Sequence, residues 1–144
     1  MTLAVELHHK VVATQTPNKN VELFFYDSAG HDIFAEMMPQ IWIDCTAVVL
    51  VFDLTRRHTL EECTQRYDAL LRAVGRQRLP GVVIANKIDL QERIVVTREE
   101  GRAFAEHLGM AYFETSAKEG DGVEAPFQHL AAEMLKLADE HEMA

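Results

Sequence analysis

The sequence predicts an α/β domain with a mostly parallel sheet and one antiparallel hairpin. Residues 47–52 and 82–85 are continuously apolar, which is typical of parallel strands buried on both faces. A helical pattern follows each of these runs. Near the N-terminus, two alternating strands are joined by the polar turn 16–20, which predicts the hairpin. At 144 residues the sequence has the size of a single domain, 1–144, and its 48% of hydrophobic residues is enough to form a core.

The hairpin strands are predicted over residues 3–14 and 21–26, where apolar side chains alternate with polar ones. Residues 33–43 carry apolar side chains at helical spacing, and Pro39 should kink or interrupt that helix. Two interpretations of this segment stay open. Its apolar face packs on the sheet, or the residues Met37, Met38 and Trp42 form a contact surface for a partner.

Two further helices are predicted from capping boxes, in which a threonine is followed three residues later by a glutamate. These boxes start at Thr59 and Thr97, and glycines at 75 and 109 should end the helices. Tyr112 and Phe113 predict a short strand. A last helix is predicted from Val123 to about Glu140.

Composition narrows the classes of partner. The net charge is −9 and lysines and arginines do not cluster, which disfavours nucleic acid and anionic membranes. Cys45 and Cys63 lie in apolar or helical contexts and are expected to be reduced thiols of an intracellular protein. The sequence has no signal peptide and no apolar run of transmembrane length. Because 142–144 contain no cysteine, we expect no prenyl lipid anchor.

Polar residues follow several predicted strands. Asp27, Asn86, Asp89 and Ser116 all come just after a predicted strand end. In parallel sheets, ligands bind at the carboxyl ends of the strands, so we expect these side chains to share one site.

The sequence Asn86-Lys87-Ile88-Asp89 suits a guanine base. Guanine presents two adjacent donors, N1–H and N2–H, and one carboxylate such as Asp89 can accept both. Asn86 can bond to the base edge and to neighbouring loops. The aliphatic stem of Lys87 can lie on the ring while its ammonium stays in water.

With these residues, the chain resembles the Ras-like small GTPases, and among them the Rab branch. Asp27-Ser28-Ala29-Gly30 is similar to the second-switch motif, and 86–89 to the guanine-specificity motif. Thr115-Ser116-Ala117-Lys118 is similar to the last base-binding loop, where the Ala117 N–H would reach guanine O6 and Lys118 would cover the base. The resemblance spans the whole chain.

The resemblance implies the three-layer small-GTPase (P-loop NTPase) fold, with GTP or GDP and Mg²⁺ as ligands. Asp27 would hold Mg²⁺ through a water molecule, and the Gly30 N–H would bond the γ-phosphate. Residues 2–6 resemble the end of the first switch, which makes Thr2 the expected Mg²⁺-binding threonine. Asn86, Lys87, Asp89, Ser116, Ala117 and Lys118 complete the expected nucleotide site.

Within the branch, the chain looks similar to the Rab-like GTPases of the intraflagellar transport machinery. Four segments carry this closer resemblance, at 24–30, 79–82, 113–116 and 124–127. It implies a subunit of transport complex B that forms a heterodimer with a small β-sandwich protein. The implied location is the cilium or flagellum and the cytoplasm.

The sequence departs from the family pattern at its start. The first strand, the phosphate-binding Gly-x-x-x-x-Gly-Lys-Ser/Thr loop and the first helix have no counterpart in this sequence. That loop supplies most phosphate and Mg²⁺ contacts, so we expect weak nucleotide binding, or none, by these 144 residues. The absent strand belongs in the middle of the sheet, which would leave two inner edges unpaired. We therefore expect the sequence to be an N-terminally truncated version of a longer protein.

A second departure is His31. The family usually has glutamine after the switch glycine, where it orients the attacking water, and histidine has a different reach. We therefore expect slow GTP hydrolysis even in a full-length form, and the sequence leaves open whether the chain is an enzyme. The alternative at this position is an exposed loop residue.

Two other functions stay open beside the GTP-binding switch. One is a nucleotide-independent scaffold that keeps the GTPase fold only for assembly. The other is a phospho-acceptor receiver domain, which is also α/β with acidic strand ends. The receiver gives no reason for Asn86 or for the segment 115–118.

Overall fold

The computed structural model describes residues 5–14, 19–28, 45–120 and 122–143, and it confirms the α/β class. Strands and helices alternate from residue 48 onward, as the apolar runs predict. In chain order the elements are β1 (Val5–Ala13), β2 (Asn20–Ser28), β3 (Val48–Asp53), α1 (Arg57–Val74), β4 (Gly81–Asn86), a short 3₁₀ helix (Gln91–Arg93), α2 (Arg98–Leu108), β5 (Ala111–Glu114) and α3 (Glu124–Met143).

The three later strands form a parallel sheet in the order β3-β4-β5. The register pairs Asp53 with Asn86 and Ala85 with Glu114, so the carboxyl ends of all three strands meet at one edge. The central strand β4 is buried at every position from Gly81 to Ala85. This burial confirms the prediction of a strand covered on both faces, and it fixes the edge from which the candidate site is built.

The two N-terminal strands form the predicted antiparallel hairpin, with Val12 paired to Val21. Helix α3 packs against it through a small cluster formed by Val12, Leu23 and Ala131. The same helix packs on β4, where Leu130 contacts the buried side chains of that strand. Helix α3 therefore joins the hairpin to the parallel sheet.

Strand β3 differs from its prediction. We expected continuous burial on both faces, but the Val51 side chain is 52% exposed. Leu50 and Phe52 point to the opposite face and are buried in the main core. Within the described ranges, β3 has one hydrogen-bonded neighbour, β4, and the hairpin does not pair with it. An apolar run thus identified the strand correctly, but it does not report whether a neighbour covers each face.

The structure confirms both glycines predicted to end helices and one of the two predicted capping boxes. Gly75 and Gly109 both adopt the left-handed conformation that ends a helix, with φ of 70° and 72°. Thr97 forms the predicted capping box with Glu100. The prediction of a capping box at Thr59 is wrong, because helix α1 begins earlier, at Arg57.

The Thr59 hydroxyl serves another purpose. It accepts a hydrogen bond from the Asp53 N–H at 2.8 Å and lies 2.7 Å from the Arg56 carbonyl oxygen, to which it donates. The hydroxyl thereby ties the first turn of α1 to the end of β3 and is not available as a cap.

The segment 33–43, including Met37, Met38 and Trp42, lies outside the described residues. Across the helices that are described, none has the length and apolarity to cross a bilayer.

Candidate functional site

Asn86 is the last residue of β4, and its side chain holds the loop after β5. Its Oδ1 accepts a hydrogen bond from the Ala117 N–H at 3.0 Å and another from the Thr115 hydroxyl at 3.3 Å. The backbone reinforces this contact, since the Ile88 N–H donates to the Thr115 carbonyl at 3.1 Å. Because both bonds use the amide oxygen, the amide NH₂ of Asn86 is left to donate elsewhere.

Asp89 and Ser116 join the two loops a second time. The Ser116 hydroxyl donates to Asp89 Oδ1 at 2.7 Å, and the same hydroxyl oxygen accepts from the Glu119 N–H at 3.1 Å. Ser116 is fully buried, so the bond is shielded from water. A carboxylate has about four acceptor positions, and the Ser116 bond occupies one of them. The Asp89 carboxylate is thus oriented while it keeps acceptor capacity.

Lys87 lies between these two residues in a conformation that is uncommon for a side chain other than glycine, with φ of 72°. Its Nζ forms an ion pair with Asp53 Oδ2 at 2.7 Å, and this brings in a residue from the end of the neighbouring strand β3. The Asp53 side chain is only 15% exposed, whereas that of Lys87 is 44% exposed. In this ion pair the carboxylate of Asp53 is therefore mostly buried, whereas the Lys87 side chain is partly in contact with solvent.

The pKa of Asp53 is set by two opposing influences. Burial is the largest of them and favours the protonated acid, but hydrogen bonds from Lys87 and from the Thr55 hydroxyl and N–H outweigh it. The pKa of Asp53 consequently lies below its ordinary value. Both Thr55 donors bind Asp53 Oδ1, at 2.6 and 2.8 Å, which leaves Oδ2 for the lysine.

The side chains around this edge enclose a small cavity of about 190 Å³. Typical drug-sized ligand pockets measure roughly 300–1,000 Å³, so this cavity suits a fragment such as one heterocycle better than a whole nucleotide. Its lining consists of Asn86, Lys87, Asp89, Leu90 and Lys118. Four of these five residues were predicted as site residues from the sequence.

The donor and acceptor set of the cavity fits the edge of guanine. Asp89 supplies carboxylate acceptors, Asn86 supplies an amide donor, and the lysine stems supply apolar surface for a ring. One feature differs from the expectation. The Ala117 N–H, expected to face guanine O6, donates to Asn86 Oδ1 in this structure. Contact with a base through Ala117 therefore requires that this bond be shared or exchanged.

The residues predicted to bind the phosphates and Mg²⁺ are described only in part. Thr2, Gly30 and His31 lie outside the described residues. Asp27 was expected just beyond its strand, but β2 continues to Ser28 and Asp27 pairs with Glu6 within the hairpin. The Asp27 side chain is outside the described part of the chain. Where side chains are described, no group of three histidine, cysteine or acidic residues could hold a metal ion.

Asp53 and Leu90 were missed as site residues. Asp53 had a usable signal, because it ends the strand that precedes β4, and its partner strand carries Asn86 at the same level. The sequence does not show that Lys87 would turn back towards it. Leu90 had no such signal, since its place in the lining follows from the tight turn in which its N–H donates to the Lys87 carbonyl at 3.0 Å.

Comparison with known proteins agrees with this arrangement. The family model of the Ras family matches residues 1–136. The chain is 36% identical over 137 residues to the intraflagellar transport protein 27 homolog of Mus musculus, covering 95% of this chain and 74% of that protein. The corresponding homolog of Bos taurus is 37% identical over 131 residues, with 91% and 70% covered.

A second group of relatives carries a different name. DnaJ homolog subfamily C member 27 of Danio rerio is 33% identical over 128 residues, which cover 86% of this chain and 47% of that protein.

Three findings agree on the family: the family match over nearly all of the chain, the identity to these relatives and the strand-edge geometry. The chain belongs to the Ras family of small GTPases, and within that family it is a Rab-like member.

Proposed function

We propose that this chain is a Rab-like, guanine-reading subunit of intraflagellar transport. The observation that carries the nucleotide part is the pair of cross-links between the segments 86–89 and 115–118. The Asn86 amide oxygen and the Asp89 carboxylate are both anchored to the second loop, at 3.0 and 2.7 Å, on the wall of one cavity. Oriented polar groups around a small apolar lining are the usual composition of a ligand site.

Each residue then has a distinct role towards guanine. Asp89 accepts from N1–H and N2–H, and Ser116 holds that carboxylate in place. Asn86 donates its free amide hydrogen to the base. Lys87 and Lys118 cover the two faces of the ring with their stems, and the Ala117 N–H is directed to guanine O6 once it exchanges its bond with Asn86.

The phosphate side of the site is assigned by family resemblance. In this proposal Thr2 and Asp27 hold Mg²⁺, and the Gly30 N–H contacts the γ-phosphate of GTP. A bound Mg²⁺ neutralises phosphate charge that these few residues cannot neutralise alone. His31 takes the position that orients the attacking water, and we infer that it does so poorly, so that hydrolysis is slow.

A fluorescent GTP analogue titrated into the 144-residue chain tests nucleotide binding. The proposal expects a weak but saturable signal that unlabelled GTP and GDP displace and that ATP displaces at least tenfold less well, since ATP lacks the paired donors that Asp89 requires. Equal displacement by GTP and ATP would contradict it. The absence of binding would instead favour a nucleotide-independent scaffold.

The transport role comes from the names of the relatives. Intraflagellar transport protein 27 homologs share more than a third of their aligned residues with this chain. We infer that this chain likewise works in an intraflagellar transport complex at the cilium or flagellum, in a heterodimer with a small β-sandwich protein. Live imaging of the fluorescently tagged chain in ciliated cells should show particles that move along the axoneme. Diffuse signal confined to the cell body would contradict this role.

A further inference from the structure

The carboxylate of Asp53 faces the candidate site without lining its cavity. It lies at the end of β3, whereas the cavity is lined by the loops after β4 and β5. The carboxylate reaches the cavity lining through its ion pair with Lys87, whose Nζ is 2.7 Å from Asp53 Oδ2. Asp53 would therefore affect a ligand in the cavity by setting the position of the Lys87 side chain.

Neighbouring residues hold both the carboxylate and the backbone of Asp53. Thr55 binds Oδ1 twice, at 2.6 and 2.8 Å, and the Asp53 N–H donates to Thr59 at 2.8 Å. With only 15% of its side chain exposed, Asp53 has little room to change rotamer. It is thus a fixed anchor for a longer and more mobile partner.

Lys87 needs such an anchor. A lysine side chain loses rotamer entropy when it is fixed, and the left-handed backbone of Lys87 adds strain that surrounding contacts must offset. An unpaired lysine would point into water for much of the time. Paired with Asp53, its stem is held along the wall of the cavity, where a flat ring would lie against it.

We propose that Asp53 is a positioning residue for base binding, which fixes Lys87 as one wall of the cavity before any ligand arrives. This inference rests on the proposed recognition of guanine. It adds a residue from a third strand to the site, and that residue touches no ligand itself. Preorganisation of this kind raises affinity because the entropy of ordering the side chain is lost before binding.

The test begins without a ligand. In the unchanged chain, acylation of Lys87 by an amine-reactive ester, followed by mass spectrometry, should be several-fold slower than acylation of the exposed Lys118. In Asp53→Asn, Lys87 should react about as fast as Lys118. Glu114→Gln is the matched control, because Glu114 is a similarly buried strand-end carboxylate, 17% exposed and paired with Arg98. Unchanged Lys87 reactivity in Asp53→Asn would overturn the inference.

A double-mutant cycle with guanosine as the probe separates positioning from a general structural effect. Asp53→Asn should weaken guanosine binding by roughly fivefold to tenfold, a coupling typical of residues in direct contact. In the Lys87→Met background the same change should have no effect on binding. A loss that persists in that background would overturn the inference and leave the proposed function standing. Absence of guanosine binding by the unchanged chain would overturn the proposed function, and the role of Asp53 with it.

Discussion

The hydroxyl of Ser116 donates a 2.7 Å hydrogen bond to the carboxylate of Asp89, across the gap between the loops that follow β5 and β4. Ser116 is completely buried, and its oxygen also accepts from the Glu119 N–H. One hydroxyl therefore links two loops that are 27 residues apart in the chain. Together with the bonds of Asn86 to Thr115 and Ala117, it sets the relative position of these loops.

Removal of this hydroxyl should loosen the site and destabilise the fold. We expect Ser116→Ala to lower the free energy of unfolding by about 1–2 kcal/mol, because the Glu119 N–H loses its acceptor and Asp89 loses its donor. Urea denaturation measures this change. Thr14→Ala, which removes a hydroxyl from the exposed end of the hairpin, should cost less. Equal losses in the two variants would contradict a special role for Ser116.

A second prediction concerns Gly101 in helix α2. A Cβ at this position would lie 2.6 Å from Cε1 of the Tyr112 ring, far inside contact distance. Although alanine is the better helix former by about 1 kcal/mol, overpacking of this kind costs typically 1–3 kcal/mol. We expect Gly101→Ala to destabilise the chain by up to about 2 kcal/mol in thermal or urea unfolding, the overpacking cost less the gain in helix propensity.

The background variant Tyr112→Leu provides the control for that substitution. With the ring removed, Gly101→Ala should become neutral or stabilising, because only the gain in helix propensity is left. A loss of the same size in both backgrounds would show that the ring is not the cause. The backbone of α2 would then have to be responsible.

The ion pair between Arg57 and Glu100 predicts a dependence on acid pH. The hydrogen bond from Arg57, with further help from the Thr97 backbone, lowers the pKa of Glu100 from 4.5 to about 2. A carboxylate with a lowered pKa stabilises the folded state above its unfolded pKa, and this contribution disappears as the pH falls through the folded pKa. The stability of the chain should therefore fall between pH 4.5 and about pH 2, through this group among others.

Arg57→Gln isolates this contribution. Both side chains are more than a third exposed, so the effect should be modest and should shrink in high salt. Thermal melts of the two proteins should differ more at pH 6 than at pH 2. A difference in melting temperature that is the same at both pH values would rule out the ion pair as its source.

The two cysteines should differ in reactivity. Burial is the main cause that raises the pKa of the Cys63 thiol to about 11, and the neighbouring charges of Arg66 and Glu62 have smaller, opposite effects. Burial also raises the pKa of Cys45, which is less completely buried. Because the thiolate is the nucleophile, iodoacetamide at pH 8 should modify Cys45 first and Cys63 only upon unfolding. Mass spectrometry follows both sites, and equal native-state rates would contradict the prediction.

The sequence predicted the elements well where the signal is local. Thr97 with Glu100 forms a capping box within one helical turn, and the glycines at 75 and 109 need only a left-handed conformation at a helix end. These features depend on neighbours in the chain, so the pattern contains most of the information. Residues 82–85 were also predicted correctly, as a strand buried at every position.

Predictions that depended on distant neighbours were less accurate. Thr59 has the same local pattern as Thr97, yet its hydroxyl bonds the end of β3 instead of capping a helix. Val51 belongs to an apolar run but is half exposed, since burial depends on which elements cover that face. A pattern within one segment cannot report what packs against it from elsewhere.

In the candidate site too, local features could be predicted from the sequence and contacts with distant residues could not. Asn86, Lys87, Asp89 and Lys118 line one cavity, because the carboxyl ends of parallel strands meet at one edge. The contact between Lys87 and Asp53 could not be predicted, since it depends on the left-handed backbone of Lys87 and on the register between β3 and β4. The bond from the Ala117 N–H to Asn86 is likewise a property of the folded loops.

In the proposed site, Asp89 reads the guanine edge. Guanine has an amino group at position 2, whereas xanthine has a carbonyl oxygen there. An asparagine at position 89 would place an amide donor opposite that oxygen and would lose one acceptor for guanine. Asp89→Asn should therefore exchange the preferred base.

Calorimetric titration of guanosine and xanthosine into the unchanged chain and into Asp89→Asn tests this role of Asp89 most directly. We expect the unchanged chain to prefer guanosine, and the variant to lose at least about tenfold in guanosine affinity and to prefer xanthosine. The preference should reverse while circular dichroism shows the same fold for both proteins. If Asp89→Asn kept the preference for guanosine, Asp89 would not be the residue that reads the base.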